Sequence, residues 1–96
     1  MAVNDMIMHY PGKLAHAYSN DFDMLNNWVA ARRPMFKQLD GNLRKHCCFP
    51  CTGAEIHNVK GHGSSGLNAI YVGLELGYDH ITVCGVPLDN NGHYFD

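Results

Sequence analysis

The residues best suited to chemistry lie in one stretch, Val59-Lys60-Gly61-His62-Gly63-Ser64-Ser65-Gly66-Leu67. Gly61, Gly63 and Gly66 fit G-x-G-x-x-G, a spacing that has meaning only between a strand and a helix. Glycines there permit positive φ and close backbone approach. Ser64 and Ser65 bring hydroxyls next to the free N–H groups of a helix start, where the dipole favours an anion such as phosphate or pyrophosphate. The competing reading is a plain glycine turn with Ser64 or Ser65 as the helix N-cap.

Two further sets of residues invite a chemical reading. Seven histidines are scattered over the chain, at 9, 16, 46, 57, 62, 80 and 93. The cysteines are Cys47, Cys48, Cys51 and Cys84, and Cys48-Phe49-Pro50-Cys51 forms a C-x-x-C. A thioredoxin-like redox pair would need that motif to open a helix, which Thr52-Gly53 opposes. A zinc site would need His57 or His62 to complete it, and no second C-x-x-C exists. Reduced, small buried thiols are the favoured reading.

The elements that must position these groups follow from periodicity. Ala2-Val3-Asn4-Asp5 reads as the end of a strand. Asn4 and Asp5 either face a ligand at its carboxyl edge or cap the next turn. Met6 to Tyr10 reads as a helical turn or two, stopped by Pro11-Gly12. Leu14 to Tyr18 alternates as a short strand. Phe22 to Arg33 carries Phe22, Leu25, Trp28, Val29 and Arg32 at helical spacing, with Pro34 as its expected stop. Trp28 is expected in the core; Arg32 and Arg33 read as solvated charges, with a phosphate clamp as the sharper alternative. A loop is expected over 35–42 and a strand over 43–49. Glu55 to Val59, Leu67 to Leu76 and His80 to Val86 then read as strand, helix and strand. That helix is apolar on nearly all sides, so burial against a sheet and a second subunit is expected. Gly77 suits its left-handed C-cap.

These elements predict a single α/β domain over residues 1–96, a minimal Rossmann-like three-layer arrangement with a mostly parallel sheet. So short a chain has a thin core, which favours a homo-oligomer. The net charge is −2 with no basic run, which argues against nucleic acid as a partner. No stretch approaches the ~18 apolar residues of a membrane span. The N-terminus carries no signal-peptide pattern, and the cytoplasm is the expected location.

Ser64-Ser65-Gly66-Leu67-Asn68-Ala69, Glu75-Leu76-Gly77-Tyr78-Asp79-His80-Ile81, Gly85-Val86-Pro87 and Tyr94-Phe95-Asp96 together carry a resemblance. Over residues 2–33 and 55–96 the chain resembles Rossmann-like proteins related to bacterial sialyltransferases and to the 6-hydroxymethylpterin pyrophosphokinase-like family. In those proteins a Ser/Thr-Ser-Gly turn at a buried helix helps hold a nucleotide, and an Asn like Asn4 faces it. The glycine-rich first turn of the enzymes is missing here, as is the region that gives the sialyltransferases their catalytic His. Small phage proteins carry abbreviated versions of this domain. Some sequester nucleotide immune signals, such as cyclic ADP-ribose made by TIR-domain defence proteins, and this sequence resembles that group.

The resemblance and the glycine turn together imply a nucleotide-binding protein without catalytic residues, metal or cofactor. Its ligand would be an ADP-ribose-like or cyclic nucleotide, and its setting, if phage-encoded, the host bacterial cytoplasm. Gly61, Gly63, Ser64, Ser65 and Gly66 would form the phosphate turn. Asn4 and Asp89 would serve the riboses, with Asp5 beside Asn4 also at the ligand, and His62, His93 or Tyr94 the base or a second phosphate. The alternative is a small glycosyl- or nucleotidyl-transferase, or a nucleotide hydrolase, using His62 or His93 as general acid or base.

Overall fold

The computed structural model describes residues 1–58 and 64–82. Its elements are β1 (Ala2–Val3), α1 (Met6–His9), β2 (His16–Tyr18), α2 (Phe22–Asp40), β3 (Arg44–Cys47), β4 (Ala54–Ile56) and α3 (Ser65–Glu75). The four strands form one sheet in the order β1-β2-β3-β4, and every neighbouring pair is parallel.

Side chains alternate across the strands and so divide the core in two. Ala2, Ala17 and Cys47 join Ile7 of α1 and Leu25 and Val29 of α2 in one cluster. Their strand neighbours Val3 and Tyr18 point the other way and pack with Ala69, Val72 and Leu76, on and just after α3. Helices thus cover both faces, and the chain is a small Rossmann-like α/β domain. Trp28 lies partly buried against the first cluster. Leu14, expected in the β2 alternation, sits in that same cluster because the strand begins only at His16.

The largest departure from the sequence reading is α2. It runs through Pro34 to Asp40, over the segment expected as a loop. An interior proline costs about 3 kcal/mol through its missing N–H and ring clash. A buried ion pair opposes that cost and exists only if the helix continues. Arg32 is 1% exposed, not solvated. It donates from Nε to Asp40 Oδ2 at 2.5 Å and from one terminal nitrogen to Asp40 Oδ1 at 2.8 Å. Its other N–H groups reach the carbonyls of Ile7, Tyr10 and Gly12. Asp40 also accepts from Leu14 N at 2.9 Å. The pair therefore ties the last turn of α2 to α1 and to the approach to β2. Gly41, at φ +66°, ends the helix.

The β3–β4 connection spans only residues 48–53, although parallel neighbours ordinarily need a dozen or more. Strands this short make it possible. A return along four residues covers ~13 Å, and six extended residues span ~20 Å. Asn26 of α2 holds the crossover by donating to Thr52 O at 3.2 Å. In α3, Ser64 is the N-cap and accepts from Leu67 N at 3.3 Å. Gly77, at φ +94°, follows its end. The outward flank of the helix exposes Tyr71 and Leu74. Residues 80–82 are not strand, and the rest of the strand expected over 80–86 lies outside the described residues.

Candidate functional site

The carboxyl ends of parallel strands, with the helix N-termini that follow them, are where open α/β sheets bind ligands. Here that edge collects Asn4 after β1, Ser19, Asn20 and Asp21 after β2, Cys48 after β3 and the first turn of α3. Asn4 adopts φ +57°, a left-handed conformation that Asn tolerates. Its Oδ1 accepts from Ser19 Oγ at 2.7 Å, and Ser19 Oγ in turn accepts from Asp21 N. Asp5 occupies the N-cap position of α1 but makes no side-chain cap bond.

α3 is fastened to this edge by its first residue. Ser65 Oγ accepts from Asn20 N at 2.9 Å, across 45 positions of sequence. Ser65 and Gly66 are buried there. Asn20 Oδ1 is crowded with donors: Tyr18 OH at 2.5 Å, Asn68 Nδ2 at 2.9 Å and Cys48 Sγ at 3.4 Å. Burial pushes the Tyr18 phenol well above its ordinary pKa, which keeps it a donor. By contrast Asn68 Oδ1, on a residue 1% exposed, has no partner among the described residues. A buried acceptor left unmet costs about 1–3 kcal/mol. It is a place where a hydroxyl or amine of a bound molecule would be stabilised.

Beside this edge, on the α3 face of the sheet, runs a chain of imidazoles. Tyr78 OH lies 3.3 Å from His16 Nε2, His16 Nδ1 lies 2.9 Å from His46 Nε2, and His46 Nδ1 lies 2.8 Å from His57 Nε2. His57 Nδ1 ends the chain at Glu75 Oε2, 2.6 Å away. Strand geometry explains the gathering. His16 is followed two places on by Tyr18, on the same face of β2. His46 of β3 is in register with Glu55 of β4, and His57 follows Glu55 two places on. Its N–H continues the ladder to Cys47 O at 2.8 Å.

Burial pushes the pKa of His46 down to about 4 and lowers that of His16. For neutral rings the carboxylate fixes the tautomers, because an ionised carboxylate only accepts. His57 donates from Nδ1 to Glu75, His46 from Nδ1 to His57, His16 from Nδ1 to His46, and Tyr78 to His16. Glu55 is held by both nitrogens of an Arg44 fork at 2.6 and 2.5 Å, which keeps its carboxyl below the usual range.

Of the residues expected from sequence to bind a ligand, the edge brings together Asn4, Ser64, Ser65 and Gly66, with Asp5 next to Asn4 in the chain. Gly61, His62, Gly63, Asp89, His93 and Tyr94 lie outside the described residues, as does Cys84. Cys47, Cys48 and Cys51 are free thiols. Cys48 bonds to Asn20, whereas Cys51 Sγ donates to Phe22 O at 3.5 Å, so the C-x-x-C pair is engaged by separate partners.

Sequence reasoning missed Ser19, Asn20 and Asn68, along with the grouping of His16, His46 and His57. The i, i+2 spacings of His16 with Tyr18 and of Glu55 with His57 were available signals. Which strands lie side by side was not. Among the described residues, no helix is long and apolar enough to cross a membrane. No protein-family model, curated protein or solved structure shows significant similarity to the chain.

Proposed function

We propose that this protein binds a nucleotide at the carboxyl edge of its sheet and holds it without cleaving it. The observation that carries the reading is the fastening of the α3 N-terminus to that edge through Ser65 and Asn20, with the unmet Asn68 oxygen in the first turns of the helix. The helix start suits phosphate. Asn4 and Ser19 supply short polar groups fit for ribose hydroxyls, and a shift of the Asn68 amide on ligand entry would give its oxygen a donor. On the resemblance drawn from the sequence, the ligand is a cyclic ADP-ribose-like immune signal made by TIR-domain proteins. Its sequestration would blunt antiviral defence, and a homo-oligomer would be the working form.

The test is to incubate the protein with NAD, ADP-ribose, cyclic ADP-ribose isomers, cyclic dinucleotides and CMP-sugars, then chromatograph the nucleotides before and after heat denaturation. A ligand that disappears and returns intact supports sequestration. If every nucleotide stays free, nucleotide binding is wrong.

A second reading, a nucleotide hydrolase or transferase, is favoured by the imidazole chain beside the edge. His57, oriented by Glu75, is the general-base candidate among the described residues once its Nε2 turns from His46 to a substrate. A compound that returns chemically altered, and returns intact from His57→Ala, would select this reading.

A further inference from the structure

We propose that His46, Glu55 and His57 form a binding site for one divalent transition-metal ion of the zinc class. Each residue offers a donor atom, and these atoms lie within 4.8 Å of one another. Two imidazoles and one carboxylate are the donor set of zinc sites that keep an exchangeable fourth ligand.

The backbone builds this set on one face. His46 and Glu55 are cross-strand partners, and His57 follows Glu55 by two residues. The remaining nitrogens of both rings are already oriented, His57 Nδ1 by Glu75 and His46 Nε2 by His16. Ligating histidines almost always carry such outer partners, which fix the ring and raise its basicity. Arg44 occupies one lone pair on each Glu55 oxygen; a carboxylate has about four lone-pair sites, so donor capacity remains.

The ion would take the place of the proton between His46 Nδ1 and His57 Nε2. Their 2.8 Å separation opens to ~3.3 Å around a tetrahedral ion with bonds of ~2.0–2.1 Å. No proton need leave the cluster. His46 moves its proton to Nε2 and donates to His16 Nδ1, and His16 moves its proton to Nε2 and donates to Tyr78 oxygen. The hydrogen bonds between Tyr78 and His46 reverse direction, while His57 keeps its bond to Glu75. The Tyr78 end of the cluster thereby reports on the metal end, independently of whether a nucleotide binds.

The experiment titrates the full chain, under reducing conditions, with Co²⁺ and with Zn²⁺ alone. Metal content is measured after desalting, and the visible d–d and near-ultraviolet bands of the cobalt form are recorded. The expected result is one equivalent of ion, a tetrahedral d–d spectrum and no thiolate charge-transfer band. Glu75→Gln, which alters only an outer partner, should weaken affinity 10–100-fold; Glu55→Gln, at an exposed ligand, should weaken it at least 10-fold. His57→Ala should abolish one-equivalent binding, with circular dichroism used to verify that the variant is folded. Absence of binding, a thiolate band, or affinity unchanged in Glu55→Gln and Glu75→Gln would overturn the proposal.

Discussion

The two faces of the sheet both bury polar side chains, and they treat them differently. Under α1 and α2, Arg32 places all five of its N–H donors, on Asp40 and on three carbonyls. Its guanidinium also lies 4.4 Å over the Phe36 ring. On the α3 face, among the described residues, Asn20 Oδ1 receives three donors while Asn68 Oδ1 receives none. There, too, two ring nitrogens meet at 2.8 Å beside a carboxylate. The first cluster is closed on itself and holds α1, α2 and the approach to β2 together. Among the described residues, the second leaves an acceptor unmet and places three potential metal-ligating groups within 4.8 Å of one another. A buried polar network that satisfies itself is scaffold; one that does not is where a ligand or ion has something to contribute.

That contrast can be broken most forcefully at Arg32. Arg32→Met leaves Asp40 buried and unpaired, and we expect a loss of about 3–5 kcal/mol in urea unfolding. Adding Asp40→Leu should recover part of it, since removing both partners is less costly than stranding one. Nucleotide retention should track only the folded fraction in these variants.

The same pair gives a pH dependence of definite sign. The Arg32 guanidinium holds the Asp40 carboxyl below its ordinary value. A depressed carboxyl contributes stability that is present above the unfolded value of about 3.9 and is lost as pH falls through the folded value. Urea midpoints measured from pH 6 downward should therefore fall in wild type below about pH 4, with a shallower decline in the Arg32→Met, Asp40→Leu double variant.

The opposite outcome is expected on the α3 face. Asn68→Leu removes the unmet acceptor and should change stability by no more than about 1 kcal/mol. It should weaken nucleotide retention at least tenfold, read by equilibrium dialysis against the ligand found in the panel. An equal loss of stability and binding would erase the distinction between the faces.

The smallest effect belongs to the exposed Arg44–Glu55 pair, with side chains 49% and 43% exposed. Arg44→Gln should shift the melting temperature little, and less still as salt is raised, because exposed pairs are screened.

Local patterns carried much of the architecture. The alternation over Leu14 to Tyr18 marked a strand, Ser64 marked a helix start, and Gly77 marked a helix end. These signals act within one or two turns of chain, so composition and spacing suffice to state them. Pro34 misled because its local cost is real, while the compensation comes from Asp40, six residues on, through a buried ion pair with Arg32. That pair in turn depends on carbonyls of α1 and the following loop.

The candidate site was legible only in part. Ser64, Ser65 and Asn4 stand out by type and by position at strand ends. Asn20 also follows a strand, but its role and that of Asn68 arise from a meeting across 48 positions. The histidines looked scattered in the chain, and parallel pairing aligned three of them.

By itself, then, the sequence determined an α/β chain with helix starts facing strand ends, since those follow from periodicity and capping. Only the tertiary structure decided that α2 outruns its proline, that Arg32 is core, and that His16, His46 and His57 form one hydrogen-bonded line. Each depends on strand order and register, set by long-range packing that no local window contains.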